Sequence, residues 1–428
     1  MSSATQSIVI RGAQIVNPDA VFLADVRIVN GIIEAVGENL QGDLVLDGTG
    51  CYISSGFVDL HTHLREPGKE EAETIESGSR AAALGGYTAV VAMPNTDPAQ
   101  DNVATVLFVR ERGIEAGLCE VVPSGCITVG RLGRELVPYD SLSRVGVTLF
   151  TDDGNGVQDA HVMQRALTAA ARLGVTLAQH CEVSALTEGA VMHDGACCSS
   201  MGVPGWPSEA EEQMVRRDIA LVRLTGAKMH FLHLSTAGSV QLVRDAKAEG
   251  LPVTAEVTPH HLSLLDEMLL GFDPIFKVNP PLRTAEDIAE LKRGLADGTI
   301  DAVATDHAPH AGHTKEQPLD TAPPGMLGLE TALGVVNTAL TLTAQQIAQV
   351  MSWAPARIAS LPQQGRPIAV GEPANISVWN TTDVWTVSRH DLASRSNNTP
   401  YHGMELRGRV RHTIYNGQVV VQEGKALK

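Results

Sequence analysis

Eight apolar segments of strand length fill the middle of this chain, and a polar residue able to bind a metal or substrate stands near the end of most of them. The segments span residues 56–64, 87–94, 119–128, 146–153, 176–182, 228–235, 252–260 and 302–310. Helical apolar stretches lie between most of them, for example 76–84, 160–173 and 209–224. Strand–helix alternation builds a parallel sheet, because each return to a parallel neighbour needs a crossover. Eight such units predict a (β/α)8 TIM-type barrel. In such a barrel the C-terminal strand ends converge on one face, where sites are built. His61, His63, Asp153, His180, His233 and Asp306 all fall at or near such ends. Scattered surface histidines would not keep to that rule.

The two ends of the chain have a different texture. Residues 8–35 alternate apolar and polar positions in three short runs, IVIRGAQIV, VFLADVRIV and IIEAVG, broken by Asn-Pro-Asp and Asn-Gly turn signals. The far end repeats the pattern in ANISVWN (374–380) and VRHTIYNGQVVVQEG (410–424). One small β-sandwich domain formed from both termini is the economical reading. It divides the chain into residues 1–55 and 366–428 for the sandwich and 56–365 for the barrel. A length of 428 residues suits a barrel of ~250 residues with a second unit. The Pro- and Gly-rich stretch 309–328 is expected to be a long mobile loop with no helix or strand.

Charge and composition exclude several classes of partner. A net charge of −17 disfavours nucleic acid and anionic membranes, and any anionic substrate would need cations local to its pocket. No apolar run approaches the ~20 residues of a membrane span, and residues 1–7 lack a signal peptide's basic and apolar regions. The expected location is the cytoplasm. Six cysteines, Cys51, Cys119, Cys126, Cys181, Cys197 and Cys198, form no CxxC pair and are read as reduced, mostly buried thiols.

Asp59-Leu60-His61-Thr62-His63-Leu64-Arg65 is the strongest local signal. Side chains alternate along a strand, so Asp59, His61, His63 and Arg65 are expected on one face, with Leu60, Thr62 and Leu64 packing on helices from the other. Two imidazoles two residues apart can chelate one ion. An HxH pair arises by chance, and His180 or His233 taken alone is best read as a hydrogen-bonded core residue. Four histidines and two aspartates at strand ends outweigh those readings. Imidazole with carboxylate suits zinc best, then manganese or cobalt. Histidines 260 and 261 are expected to support the ligands from behind. His193, His230, His313, His390, His402 and His412 are read as ordinary structural or surface residues.

The runs GFVDLHTHLREPG (56–68), AMPNT (92–96), FTDDG (150–154), KVNPPLR (277–283) and ATDHAPH (304–310) resemble the dihydroorotase family of the amidohydrolase superfamily. The resemblance covers essentially the whole chain. It implies that His61, His63 and Asp306 hold one metal and His180 and His233 the other. Relatives that bridge the metals with a carboxylated lysine have no counterpart here. Asp153 matches the bridging position of the branch that uses an aspartate. The implied cofactor is Zn2+, one or two ions per subunit with two favoured.

The same resemblance assigns Arg65, Asn95, Asn279, His310, Pro324 and Gly325 to substrate contact, with Pro324 standing where many relatives carry an aromatic residue. Asn95 and Asn279, each beside a proline, could equally stabilise turns. Arg65 could hold a substrate carboxylate with two parallel hydrogen bonds. The implied reaction is reversible zinc-dependent cyclisation of N-carbamoyl-L-aspartate to L-dihydroorotate in de novo pyrimidine biosynthesis. A metal-activated hydroxide would be the nucleophile and Asp306 the general acid/base and catalytic residue. A homodimer, and a complex with aspartate transcarbamoylase, are the partners this implies besides the small-molecule substrate. Two alternatives stand: a hydantoinase- or dihydropyrimidinase-like cyclic amidohydrolase, and a non-catalytic partner of aspartate transcarbamoylase.

Overall fold

The computed structural model describes residues 7–428. Its first strands, β1 (Ile8–Val16), β2 (Val21–Val29) and β3 (Ile32–Gly37), are the three alternating runs, and they pair antiparallel in order. Asn30 and Gly31 turn β2 into β3 with φ of 53° and 79°, a left-handed region that Asn and Gly enter at least cost. Strands β4 (Leu44–Asp47) and β5 (Tyr52–Ser55) lie parallel to β1.

The middle of the chain supplies eight parallel strands. They are β6 (Phe57–Thr62), β7 (Tyr87–Ala92), β8 (Glu120–Pro123), β9 (Leu149–Thr151), β10 (Thr176–Gln179) and, after the short pair β11 (Met192–His193) and β12 (Gly205–Trp206), β13 (Lys228–Phe231), β14 (Val253–Val257) and β15 (Ala302–Val303). Parallel ladders join β6–β7–β8 and β9–β10–β13–β14–β15. Two single bridges, Gly125 with Phe150 and Thr62 with His307, link these two groups. The pairing thus passes through all eight strands and returns to β6. Strands covered on both faces carry unbroken apolar runs, and YTAVVA of β7 is buried at every position.

All eight expected strands form, but each stops short of its expected end. The residues beyond the stop bend out of extended geometry: Arg65, His233 and Asp306 have φ of 63°, 31° and 47°. Left-handed backbone costs a non-glycine residue about 1–2 kcal/mol, and such strain persists where surrounding packing over-determines it. The alternation expected over Asp59–Arg65 therefore holds only to Thr62. Asp59 accepts from Thr305 N at 2.9 Å and from His61 N at 3.1 Å, binding backbone instead of joining the imidazoles. The opposite face behaves as expected. Leu60 packs with Ala356 and Ala359, and Leu64 lies against Gly78, where a Cβ would come within 2.5 Å of its Cδ2.

Helices follow their caps. Ile75–Leu84 starts at Thr74, whose Oγ1 accepts from Ser77 N. Ala160–Leu173 starts at Asp159 and ends at Gly174, at φ 72°.

Near the end, β16 (Ile376–Thr386), β17 (Glu405–Tyr415), β18 (Gln418–Gln422) and β19 (Lys425–Ala426) form antiparallel pairs, and β16 pairs with β5 through Ile376 and Ser55. The two ends of the chain thus share one nine-stranded sheet. Ile10, Ile15, Val26, Ile33, Ile53, Ile376, Val378 and Ile414 form its buried core. Burying each such side chain contributes about 1.5–3 kcal/mol. Between β16 and β17, residues 387–404 leave the sheet as a strap without helix or strand. All six cysteines are free, five of them buried, as expected.

Segment 309–328 departs from the expectation of a structureless loop. It contains a short helix, Gly312–Lys315, and two lysines tie it down. The Lys315 ammonium, itself buried, donates to Pro323 O at 3.0 Å and Gly325 O at 3.2 Å, and Lys277 Nζ donates to Leu319 O at 2.7 Å. Ammonium groups replacing water around buried carbonyls order a segment whose own sequence favours no regular structure.

Candidate functional site

His61, fully buried at the end of β6, donates from Nδ1 to Glu256 Oε1 at 3.0 Å. A carboxylate only accepts, so in the neutral ring, the form that binds a metal, this bond leaves the lone pair on Nε2. His63 follows the same scheme, with Nδ1 donating to Asn95 Oδ1 at 2.9 Å. In His180 the roles reverse: Nε2 donates to Glu182 Oε2 at 2.9 Å and Nδ1 faces inward, 3.0 Å from His233 Nε2.

These inward nitrogens surround two carboxylates. Asp153 Oδ1 lies 3.3 Å from His61 Nε2 and 3.6 Å from both His180 Nδ1 and His233 Nε2, while its Oδ2 lies 3.5 Å from His63 Nε2. Asp306 Oδ1 lies 3.0 Å from His63 Nε2 and 3.5 Å from His61 Nε2. Two sets, His61–Asp153–His233 and His61–His63–Asp306, have all their ligand atoms within 4.8 Å of one another. Burial pushes both aspartate carboxyls up, but the imidazoles around them outweigh it and hold both below the usual carboxylate range.

The fit to a cation can be tested on one atom. His61 Nε2 is buried without a hydrogen-bond partner among the described residues, between two ionised carboxylates. A buried polar atom left unpaired costs about 1–3 kcal/mol. A metal ion at that position would satisfy the lone pair and both carboxylates together. The donor set of imidazole nitrogen and carboxylate oxygen suits zinc.

A cavity of about 240 Å³ opens above this cluster, lined among others by His63, Asp153, His180, His233 and Asp306. The same wall carries Arg65, Asn95, Asn279, His310, Pro324 and Gly325, so all six expected substrate contacts face one space. Arg65 is buried, donates from Nε to Pro309 O at 3.0 Å, and has no ion-pair partner among the described residues. Burial lowers its pKa to about 10, so it remains a cation at neutral pH. His310 Nε2 sits 2.8 Å from Pro324 O, which makes that nitrogen the protonated one. Burial, then Arg65 and Lys315, brings the His310 pKa down to about 3, so the ring is neutral.

A family profile described as "Dihydro-orotase-like" matches residues 50–239. The dihydroorotase of Mycobacterium tuberculosis is 50% identical over 411 residues, covering 94% of this chain and 95% of its own. That of Streptomyces coelicolor is 46% identical over 424 residues, covering 97% and 98%. The chain belongs to the dihydroorotase family.

Among solved structures, the L-hydantoinase (dihydropyrimidinase) from Arthrobacter aurescens superposes with a TM-score of 0.88 at 23% identity, over 99% of this chain and 98% of that one. The dihydropyrimidinase from Brevibacillus agri gives 0.81 at 23% identity, over 98% and 96%. These likenesses establish a shared fold.

Within this dihydroorotase-family site, several supporting residues escape a reading of the sequence. Glu256 is fully buried on β14 and receives His61 Nδ1 at 3.0 Å and His230 Nε2 at 2.9 Å. Burial pushes its carboxyl up, yet those two imidazoles bring it down to about 2. A signal existed, since one carboxylate in the apolar strand VTAEV must find buried partners. His230 was read as ordinary and instead completes this relay. Glu182, three residues past β10, anchors His180. Asn95, expected at the substrate or in a turn, also orients His63. His261 bonds Thr258 Oγ1 at 2.7 Å and Pro280 O at 3.0 Å, away from the cluster. His193 pairs with Arg283 at 3.0 Å, and His412 with Asp47 O at 3.1 Å, in line with structural roles.

Proposed function

We propose that this chain is a dihydroorotase, interconverting L-dihydroorotate and N-carbamoyl-L-aspartate for pyrimidine synthesis. The observation that carries the reading is Arg65, a buried cation without an ion-pair partner among the described residues, opening on the same cavity as the imidazole–carboxylate cluster. A hydrolytic site needs no such cation, whereas a ring that bears a carboxylate does. Relatives named dihydroorotase at 44–50% identity over most of the chain support it.

On this reading the closed cycle of parallel strands is a (β/α)8 barrel over residues 56–365. The sheet that the two chain ends share, within the domain expected over 1–55 and 366–428, would form the β-sandwich unit beside it. His61, His63 and Asp306 would hold one zinc ion, His180 and His233 the other, and Asp153, whose two oxygens face different imidazoles, would lie between them. Zinc at such a site supplies Lewis acidity, activating water at neutral pH and polarising an amide carbonyl. Arg65 grips the ring's carboxylate, and Asn95, Asn279, His310, Pro324 and Gly325 orient the ring. Asp306, ionised in its nest of imidazoles, takes a proton from the attacking water. A C–O bond then forms at the ring carbonyl, the C–N bond breaks, and Asp306 returns the proton to the departing nitrogen. Ring closure runs these steps backwards.

The test is an ultraviolet assay of the purified protein with dihydroorotate, before and after chelation and after zinc is restored. Turnover lost on chelation and recovered with zinc is expected. Robust turnover of unsubstituted dihydrouracil with none of dihydroorotate would instead identify a hydantoinase-like enzyme. A protein that turns over neither ring with metal restored would be a non-catalytic member of the family.

Asp153 makes a separate prediction. A plain carboxylate at the bridging position needs no carbon dioxide to assemble, so activity is expected to be the same with and without added bicarbonate. Asp153→Ala should lose one metal equivalent or at least about tenfold in rate, the scale typical of disturbed metal sites. Metal analysis beside kinetics checks this; full metal content at full rate would place the bridge elsewhere.

A further inference from the structure

The strap between β16 and β17, residues 387–404, belongs by sequence to the terminal β unit, yet its polar groups bond to the barrel. Ser396 Oγ donates to Ala72 O at 2.7 Å, and Arg395 N donates to Glu73 Oε1 at 3.1 Å. Asn398 goes further, because its partners are the loops that line the cavity. It is 3% exposed. Its Nδ2 donates to Ala308 O at 2.9 Å and Gly325 O at 3.1 Å, and its Oδ1 accepts from His310 N at 3.1 Å. Its own carbonyl accepts from Leu327 N at 3.1 Å. Both amide protons and the amide oxygen are thus engaged, and every partner is backbone of segments 308–310 or 325–327.

Those segments carry His310 and Gly325, two of the groups assigned to the substrate ring. They sit so close that a Cβ on Gly325 would come within 2.8 Å of both Ala308 Cβ and His310 Nε2. Between themselves the two segments share a single bridge, His307 with Met326, and one backbone bond, Ala308 N donating to Met326 O at 2.8 Å, and neither has a helix or strand of its own. We infer that Asn398 is a positioning residue for substrate recognition, clamping the His310 and Gly325 segments at the spacing the ring requires. The inference rests on the dihydroorotase reading for the identity of the substrate, but the clamp is a property of this chain alone.

Asn398→Asp is nearly isosteric and keeps the acceptor for His310 N. It replaces the donor with an oxygen facing two carbonyl oxygens, and such lone-pair opposition forces the segments apart. Because the metal cluster is untouched, binding suffers more than chemistry. The KM for dihydroorotate is expected to rise about tenfold or more while kcat changes by less than about threefold, the pattern of a lost binding contribution. Metal content should be unchanged. Amide hydrogen exchange should quicken in peptides covering 306–310 and 324–328 and nowhere else. Asn397→Asp adds the same charge at the exposed neighbour and should alter none of these. Asn398→Ser, which buries no charge, replaces the Asp variant if that one fails to fold, with the same split expected.

Unchanged KM, or kcat, metal content and exchange protection lost together across the chain, would overturn the inference in favour of a merely structural role. If the wild-type protein does not turn over dihydroorotate, the proposed function falls. The exchange measurement, which needs no substrate, still decides whether Asn398 holds these segments.

Discussion

Asp306→Asn is expected to lower turnover of dihydroorotate by about 10²–10⁴-fold, the range that a positioned acid–base group contributes, while the protein keeps its fold, its metal and its affinity for substrate. The substitution suits the site for two reasons. The Asp306 backbone has φ of 47°, and Asn is among the few side chains that tolerate this region, so no new strain enters. The amide oxygen can still face His63 and His61, where Asp306 Oδ1 now lies at 3.0 and 3.5 Å. What is lost is proton affinity: an amide accepts no proton at neutral pH, so it can neither take one from water nor return it to the ring nitrogen. Steady-state kinetics, direct binding of dihydroorotate and metal analysis together separate this outcome from metal loss. Near-normal turnover with metal in place would move the general base elsewhere.

Arg65→Met should act on the other half of the reaction. The guanidinium is buried without an ion-pair partner among the described residues, and on the proposed function its contact with a substrate carboxylate would persist before, during and after the chemical step. Removing such a buried partner costs about 2–5 kcal/mol, so dihydroorotate should bind far more weakly. Discrimination against rings without the carboxylate should shrink by a comparable factor, because the substitution removes a feature that only the carboxylated ring exploits. Met retains the apolar stem of Arg and gives up, with the charge, the Nε bond to Pro309 O at 3.0 Å and the approach of Nη2 to His310 Nε2 at 3.5 Å. The ratio of kcat/KM for dihydroorotate to that for dihydrouracil is the measurement. A variant that binds dihydroorotate normally would rule out the clamp.

The two variants differ in kind, and that difference follows from where each group stands. Asp306 lies among the imidazoles and is already ionised, whereas Arg65 lines the cavity wall without an ion-pair partner among the described residues. A loss at Asp306 therefore reads out in kcat and a loss at Arg65 in binding.

Much of this arrangement was legible before any coordinates. The three N-terminal strands have the expected bounds, because period-2 alternation between turn signals leaves little else possible. The eight middle strands are in their expected places because unbroken apolar runs of that length need cover on both faces. The six residues expected at the metal and the six expected at the substrate converge, since one face of such a topology gathers every C-terminal strand end. Strand ends were less legible. Periodicity continues through His63 and Arg65, but the backbone there follows the site and not the ladder.

What escaped the sequence is what depends on partners far apart along it. Glu256 is 195 residues from His61, yet it sets which ring nitrogen of His61 faces the carboxylates. Two lysines ordered segment 309–328, whose composition suggested mobility, by donating to carbonyls that only packing brings within reach. Asn398 stands 88 residues from His310, in a stretch without periodicity or motif. Local pattern and residue chemistry determined the strands and the candidate metal-binding side chains, because alternation and ligand type are properties of neighbours in the chain, and the motifs that resemble the dihydroorotase family pointed to the class of reaction. The tautomers of His61 and His63 and the spacing of the substrate loops were decided by the tertiary structure, because each is set by a hydrogen bond or contact whose partner comes from another strand, loop or domain.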